Sequence, residues 1–302
     1  MNRRELLQRS AAVGAVAALA SSAGAALGTD ASAASGPSAP LMPPGAASIP
    51  VAFVLAKDAV VIDFAGPWEV FQDVSILGRK ENAFNLYTVA ETMDPITASG
   101  GMRIVPNYSV DTAPAPKIIV IPGQQAPSKR LLDWIRNADK TTDLTVSICT
   151  GVFVLAATGL LAGRSATTHH NAYREFAMDN ADIAVKRGAR FVEDGKFASS
   201  GGLSSGIDLA LHIVERYFGR EVAKQTAFQM EYQGQGWLDP AANRIYAQAR
   251  VSNGLATCPI CTMDVDPKTG ATSVYKGEHY YFCMPPHKAR FDAAPEKWLA
   301  LA

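Results

Sequence analysis

The sequence predicts an α/β protein with a doubly wound, mostly parallel sheet, followed by a small C-terminal α+β domain. Short apolar segments alternate with helical segments up to about residue 236, and a Cys/His-rich segment of different composition follows. At 302 residues the chain is long enough for about two domains. We predict domains over residues 49–236 and 255–302, joined by a connector over residues 237–254.

Four mostly apolar segments have the composition of strands that are buried on both faces of a parallel sheet. They are residues 51–55, 84–90, 117–121 and 144–148. Ligands of such sheets bind outside the carboxyl ends of the strands. The residues that follow these segments are therefore the first candidates for a functional site.

Helical segments fill the intervals between the predicted strands. A helix is predicted over residues 63–74, with Pro67 in its first turn, where a missing amide proton costs nothing. Further helices are predicted over residues 129–138, 152–157, 206–218 and 240–251. The alternation of strands and helices supports the doubly wound arrangement.

The N-terminal segment has the layout of an export signal. Arg3 and Arg4 precede an Ala/Gly-rich apolar run, and residues 31–33 form a small-residue cleavage pattern. This layout resembles a twin-arginine signal, so we expect residues 1–33 to be removed and the protein to be periplasmic or extracellular. Residues 34–48 are expected to form a Pro/Ala-rich linker. A membrane anchor is the alternative, although the run contains few of the large apolar residues that favour spanning helices.

The charge balance bears on the choice of partner. Lys and Arg together number 28, as do Asp and Glu, so the chain has no basic surplus for nucleic acid. A small-molecule substrate and a metal ion are the expected partners, with no stable membrane span after signal cleavage. Assembly into a homodimer stays open.

A cysteine stands where a predicted buried strand turns into a helix. Cys149 follows the strand over residues 144–148, and Gly151 permits a tight turn two positions later, as in a nucleophile elbow. Amide groups and the dipole at the helix N-terminus favour a thiolate, which predicts a lowered pKa for Cys149. An inert buried cysteine is the alternative.

Five segments occur in order along the chain: Val60–Phe71, Ile119–Gly123, Ile148–Gly151, Ala166–His169 and Gly206–Leu211. Together they resemble the ThiJ/PfpI family, a group similar to class I glutamine amidotransferases. The similarity spans about residues 49–236 and implies a flavodoxin-like sheet. It is strongest to the branch that contains isonitrile hydratase and domains of certain transcription regulators, although we expect no helix-turn-helix region here.

The resemblance implies roles for four positions and no cofactor in this domain. Cys149 matches the nucleophile, and Asp63 matches an acidic residue that approaches the nucleophile sulfur. Thr150 matches the residue after the nucleophile in isonitrile hydratase, where protease-like members have histidine. The Gly123 amide is expected to form an anion hole with the amide of Thr150. Gln124 replaces the family's second glycine, which leaves the shape of this loop open.

These residues suit addition to an electron-poor carbon. A thiolate attacks, a partly protonated carboxyl group supplies the proton, and water releases the adduct, which gives an N-substituted formamide from an isonitrile. Asp63 could instead cap the helix that contains Pro67. His169 and His170 could assist the reaction or belong to a solvated loop.

The C-terminal domain carries four nitrogen and sulfur donors. Cys258 and Cys261 form a C-x2-C pair, and Cys283 and His287 form a C-x3-H pair, which together suit tetrahedral binding of one zinc or copper ion. Residues 255–302 resemble a YHS domain, in which a cysteine frequently takes the place of this histidine. A disulfide is the alternative use of the cysteines. So small a domain needs a metal ion or docking on the larger domain to be stable.

Two functions are compatible with these patterns. The first is an exported cysteine-dependent enzyme, either a hydro-lyase resembling isonitrile hydratase or an amide-type hydrolase, with a metal-binding tail. The second is a non-catalytic envelope protein that binds metal or senses oxidants. The set Asp63, Cys149 and Thr150 favours the enzyme, and the C-terminal cluster favours the second function.

Overall fold

The computed structural model describes residues 49–236 of the predicted larger domain, residues 237–247 of the predicted connector and residues 255–299 of the predicted C-terminal domain. The predicted signal peptide, residues 1–33, and most of the predicted linker, residues 34–48, lie outside it. Within the described part, no helix combines the length and the apolar content needed to cross a bilayer. The described residues are 39–43, 45, 47–247 and 255–299.

The larger domain alternates strands and helices, as predicted. Its strands are β1 (Ile49–Val54), β2 (Phe84–Ala90), β3 (Ile96–Thr97), β4 (Arg103–Ile104), β5 (Tyr108–Ser109), β6 (Ile118–Ile121), β7 (Leu144–Ser147), β8 (Ser165–Ala166), β9 (Ala184–Val185), β10 (Phe191–Asp194) and β11 (Phe197–Ser200). Its helices are α1 (Val61–Gln72), α2 (Lys129–Asp139), α3 (Gly151–Ala157), α4 (Tyr173–Asp179), α5 (Ser205–Phe218) and α6 (Arg220–Gln229).

Seven of these strands form the central sheet, in the order β10-β11-β7-β6-β1-β2-β5. All neighbouring pairs are parallel except β10 with β11. The segment β2-β1-β6-β7-β11 has the 2-1-3-4-5 order of flavodoxin-like sheets, which confirms the predicted fold. The strand order reverses between β1 and β6, so the crevice at their carboxyl ends is where such a sheet binds a ligand.

Helices cover both faces of this sheet. Helices α1, α5 and α6 pack on one face, and α2, α3 and α4 pack on the other. Strand β6 shows why its sequence is continuously apolar. Ile118 and Val120 belong to the first core, whereas Ile119 and Ile121 belong to the second, because successive side chains of a strand point to opposite faces.

Helix α1 differs from its prediction. It begins at Val61, two residues before the predicted start, so Pro67 lies in the second turn and not in the first. The Val61 amide donates a hydrogen bond of 3.0 Å to the hydroxyl of Ser99, which satisfies an N-terminal amide from a distant loop. A tertiary contact of this kind leaves no signal in the local sequence.

The described part of the connector packs on the larger domain and does not form the predicted helix. Its described part contains two short 3-10 turns, Gly236–Leu238 and Arg244–Tyr246, and residues 248–251 lie outside the structure's description. The buried carboxylate of Asp208 on α5 accepts a hydrogen bond from the first turn and pairs with Arg190. The connector therefore follows these contacts with Asp208 and not the helical pattern of its own sequence.

The C-terminal domain consists of two small sheets and two helices. Its elements are β12 (Ala256–Thr257), β13 (Asp264–Val265), β14 (Ala271–Tyr275), β15 (Glu278–Phe282), α7 (Pro285–Ala293) and α8 (Pro295–Leu299). Phe282, Phe291 and Trp298 form its core together with Cys258 and Cys261. The described residues of both domains and the connector belong to one compact unit.

The turn between β7 and α3 has no room for a side chain at Gly151. A Cβ there would lie 2.1 Å from the carbonyl oxygen of Ile121. We expect Gly151→Ala to lower the free energy of unfolding by about 3 kcal/mol in urea denaturation, because the backbone must shift. Gly159→Ala is the control, since Gly159 has open space but a φ of 80° and costs only about 1 kcal/mol. Equal losses would contradict the steric explanation.

Candidate active site and metal-binding cluster

Cys149 occupies a sharp turn between β7 and α3. Its φ of 56° lies in the left-handed region, which residues other than glycine rarely adopt. The Cys149 amide donates to the carbonyl of Gly201 at 3.2 Å, and its carbonyl accepts from the hydroxyl of Thr168 at 3.0 Å. Two neighbouring loops therefore hold the strained turn in place, as a nucleophile elbow requires.

Asp63 lies fully buried on α1, beside Cys149. Its Oδ2 accepts a hydrogen bond of 3.0 Å from the Gly123 amide, and its carboxyl group interacts with the Cys149 thiol. Oδ1 has no hydrogen-bonding partner within the described structure. Burial raises the pKa of Asp63 to about 7, against the lowering effect of the bonds from Gly123 and Cys149. The carboxyl group is therefore about half protonated at neutral pH.

The alternative role of Asp63 as a helix cap is wrong. The N-cap residue of α1 is Val60, and its side chain forms no capping hydrogen bond. Asp63 instead turns its carboxyl group toward the loop that follows β6. Its burial is consequently not explained by local helix geometry.

The prediction of a lowered pKa for Cys149 is wrong. Burial, and after it the Asp63 carboxyl group, raise the pKa of the thiol to about 11, although hydrogen bonds from the Leu203 amide and from Thr150 act in the opposite direction. The cysteine is only 5% exposed, so the loss of hydration outweighs the effect of the helix N-terminus. Before reaction, the site holds a neutral thiol next to a partly protonated carboxyl group.

The loop after β6 brings Gly123 against the other site residues. A Cβ on Gly123 would lie 2.5 Å from the hydroxyl oxygen of Thr150, so only glycine fits. We predicted that the Gly123 amide forms an anion hole with the amide of Thr150. In the structure it donates a hydrogen bond to Asp63 instead. Gln124 holds the loop without the second glycine, because its side chain bonds to backbone groups at the carboxyl end of β1 at 2.6 and 3.2 Å.

The sequence analysis missed Leu203. Its amide and the amide of Thr150 both donate hydrogen bonds to the Cys149 thiol. Leu203 has a φ of 46°, which lets the backbone turn toward the sulfur. The available signal was the pair Gly201 and Gly202, which follows β11 directly at the carboxyl edge of the sheet.

His169 and His170 form a packed pair and not a solvated loop. Their rings stack with centroids 4.3 Å apart, and a Cβ on Gly202 would lie 2.2 Å from the His169 ring. Burial, and then His170, lower the pKa of His169 to about 4, so the ring is neutral at neutral pH. Its Nδ1 accepts a bond of 3.2 Å from the Asn171 amide, so Nε2 carries the proton. The pair supports the loop that carries Leu203.

Little of Cys149 is exposed to solvent. A cavity of about 320 Å³ opens at the carboxyl ends of β1 and β2, and its lining includes Lys57, Glu91 and Ser128. Neither Cys149 nor Asp63 lines it. A substrate of the thiol must therefore be small, or must displace the loops that cover it.

Four ligand atoms converge in the C-terminal domain. The donor atoms of Cys258, Cys261, Cys283 and His287 all lie within 4.8 Å of one another. Sγ of Cys283 is 3.4 Å from Sγ of Cys261 and 3.3 Å from Nδ1 of His287, and Sγ of Cys258 is 3.6 Å from Nδ1. A tetrahedral zinc site has ligand–ligand edges of about 3.5 to 3.8 Å, so the four residues fit a metal ion. None of the four cysteines is disulfide-bonded in the structure, which favours the metal site over the alternative disulfide.

The charges within this cluster favour a cation. The Cys261 thiol and the His287 ring donate hydrogen bonds that hold the pKa of Cys258 well below its usual value. The Cys258 thiolate in turn raises the pKa of Cys261. Burial opposes the charge on His287, but Cys258 and Glu175 raise its pKa to about 10. A bound metal ion would take the place of the protons on Cys261 and His287.

Comparison with known proteins identifies the larger domain. Residues 50–216 match the sequence profile of the DJ-1/PfpI family, and so more than half of the chain is covered. The chain belongs to the DJ-1/PfpI family. This membership confirms the ThiJ/PfpI resemblance, and the profile match ends before the connector and the C-terminal domain.

Isonitrile hydratase from Pseudomonas putida is 30% identical over 190 residues, which cover 61% of this chain and 79% of that protein. The HTH-type transcriptional regulator GbdR from Pseudomonas aeruginosa is 26% identical over 179 residues, which cover 57% of this chain but 48% of the regulator. The chain thus spans about half the length of that relative.

Solved structures share the fold. A ThiJ/PfpI family protein from Pseudomonas syringae has a TM-score of 0.56 at 24% identity, over 63% of this chain and 77% of that one. Drosophila melanogaster DJ-1beta has a TM-score of 0.54 at 20% identity, over 62% of this chain and 100% of that one.

The buried carboxyl group of Asp63 predicts a pH-dependent stability. Its pKa is about 7 in the folded chain against an ordinary value of 3.8, so the folded state keeps a proton that the unfolded chain releases between these values. The stability that this proton confers is complete below pH 4 and is lost as the pH rises through 7. Between pH 5 and 8, the unfolding free energy of the wild type should fall by about 2 kcal/mol relative to Asp63→Asn in chemical denaturation.

The control is Asp94→Asn, which removes an exposed carboxylate. Its unfolding free energy should follow the wild-type pH profile. Parallel profiles for the wild type and Asp63→Asn would show that the Asp63 carboxyl group titrates normally in the folded protein.

Proposed function

We propose that the larger domain is a cysteine-dependent enzyme that hydrates a small electrophile of the isonitrile class. The observation that carries this proposal is the left-handed turn at Cys149, which sets the thiol beside the fully buried carboxyl group of Asp63. The similarity to isonitrile hydratase from Pseudomonas putida, over most of that protein's length, supports the choice of substrate class.

In the first step, Cys149 adds to the terminal carbon of the isonitrile. The thiol is neutral at rest, so Asp63 in its carboxylate form takes the proton as the sulfur–carbon bond forms. The same carboxyl group then delivers this proton to the carbon. The product is a thioimidate in which the carbon is bonded to sulfur, to hydrogen and, by a double bond, to nitrogen.

In the second step, water adds to the thioimidate carbon. The Asp63 carboxylate accepts one proton from the attacking water and passes it to the nitrogen, which leaves a carbon bonded to a hydroxyl group, to sulfur and to an amine nitrogen. As the carbon–sulfur bond breaks, Asp63 passes the hydroxyl proton to the departing sulfur, so that the carbonyl group forms and the thiol is restored. The amides of Thr150 and Leu203 stabilise the charge on the departing sulfur, because both donate hydrogen bonds to it. The net reaction adds one water molecule and yields an N-substituted formamide.

We further propose that the C-terminal domain binds one zinc or copper ion. Cys258, Cys261, Cys283 and His287 would hold the ion, which would act there as a structural centre for a domain with a small core. Export to the periplasm or beyond is proposed from residues 1–33, which lie outside the described residues. The rival function, a non-catalytic metal-binding or oxidant-sensing protein, is favoured by this cluster and by the low exposure of Cys149.

Variants of Cys149 and Asp63 test the enzyme proposal. The full chain should convert a small aliphatic isonitrile to the formamide, as followed by proton NMR. Cys149→Ser and Asp63→Asn should each lower the rate at least about 100-fold, because the first removes the nucleophilic sulfur and the second removes the group that carries the proton. Cys258→Ser is the matched control outside the site and should keep most of the activity.

The rate of Cys149 alkylation shows whether Asp63 acts in the reaction or only supports the fold. Asp63→Asn removes a charge that raises the pKa of Cys149, so alkylation by iodoacetamide at pH 8 should become faster while hydration is lost. Loss of both alkylation and hydration would mean that Asp63 only supports the fold. Full activity of Cys149→Ser would reject the enzyme proposal.

Metal content tests the second proposal. Protein purified without chelators should contain one zinc or copper ion per chain by elemental analysis, with its cysteines protected from thiol reagents until the metal is removed. Cys258→Ser combined with Cys261→Ser should abolish binding, whereas His287→Ala should weaken it. A metal-free wild type with a disulfide between Cys258 and Cys261 would contradict the proposal.

A further inference from the structure

The imidazole of His287 lies between the two domains. Its Nδ1 faces the cluster, 3.3 Å from the sulfur of Cys283 and 3.6 Å from that of Cys258. Its other nitrogen, Nε2, lies 3.6 Å from Oε2 of Glu175 on α4 of the larger domain. Both side chains are largely buried, with exposures of 10% for His287 and 16% for Glu175. The ring therefore connects the metal-binding cluster to a carboxylate of the other domain.

Helix α4 is also the surface on which the C-terminal domain docks. Glu175 and Asp179, one turn apart, both form ion pairs with Arg290 of α7. The guanidinium of Arg290 lies over the ring of Trp298, 5.0 Å from its centroid. Arg174 donates a hydrogen bond to the carbonyl of Trp298. Of these α4 side chains, Glu175 faces both the docking contact and the histidine of the cluster.

The contact between His287 and Glu175 matches the arrangement that is common at metal-bound histidines. A neutral imidazole that binds metal through Nδ1 carries its remaining proton on Nε2. Histidine ligands regularly donate this second N–H to a carboxylate, which orients the ring and makes the metal-binding nitrogen more basic. Glu175 is the carboxylate that faces Nε2. At 3.6 Å, a small shift of either side chain forms the hydrogen bond.

We propose that Glu175 of the larger domain is a positioning residue for the metal site of the C-terminal domain, so that metal binding and domain docking stabilise each other. The inference rests on the proposed binding of a metal ion by the four-residue cluster. Because binding free energies are reciprocal, a carboxylate that strengthens metal binding only when the domains are docked must also make the metal ion strengthen docking. Each domain thereby supplies part of one site.

Zinc affinity in the full chain tests this role. Competition with a chromophoric chelator, under reducing conditions, should show at least about 10-fold weaker zinc binding for Glu175→Gln than for the wild type. Asp179→Asn is the matched control, because it lies on the same helix, loses the same charge and contacts the same Arg290, but does not face His287. Its zinc affinity should stay within about threefold of the wild type.

Hydrogen exchange supplies a second readout that does not depend on affinity. Zinc should slow amide hydrogen exchange in α4 and α7 of the wild type. In Glu175→Gln the same addition of zinc should slow this exchange less. Circular dichroism of each variant checks that both domains remain folded.

The outcomes separate the two proposals. If the wild type binds no metal ion, the metal site and the role of Glu175 both fall. If the wild type binds one zinc ion per chain and Glu175→Gln binds it equally well, only the role of Glu175 falls. If Glu175→Gln and Asp179→Asn lower the zinc affinity equally, Glu175 acts only through its ion pair with Arg290. That result would also overturn the inference.

Discussion

The burial of the Asp63 carboxyl group beside the Cys149 thiol is the constraint on which the candidate active site depends. Without water around it, the carboxyl group has a pKa of about 7, and its proximity helps to raise that of the thiol to about 11. The pair therefore holds a neutral thiol beside a partly protonated carboxyl group and not a preformed thiolate. Gly123 and Gly151 allow this close approach, because a Cβ on Gly123 would collide with Thr150, and a Cβ on Gly151 would collide with the backbone at the end of β6.

The parallel sheet explains how distant segments of the chain meet at this pair. Asp63 lies on the helix after β1, Gly123 follows β6 and Cys149 follows β7, and these three strands are neighbours with parallel directions. Their carboxyl ends share one edge of the sheet, next to the point where the strand order reverses. The antiparallel pair β10–β11 adds Leu203 from the far side, since β11 lies next to β7.

Helix α4 relates this site to the C-terminal domain. It begins soon after Thr168 and His169, which support the turn at Cys149 and the loop of Leu203, and its outer side contacts α7 and α8. A domain with so small a core gains stability from such contacts. The same helix therefore borders both candidate sites.

The sequence by itself determined the strand and helix alternation, the family, the elbow at Cys149 and the four donors of the C-terminal cluster, because these features follow from local periodicity and fixed spacing. It did not determine the pKa of Cys149, the partner of the Gly123 amide, the part played by Leu203 or the contact between Glu175 and His287. Those properties depend on burial and on groups far apart along the chain. Only the tertiary structure decides them, because desolvation and hydrogen bonding act across space.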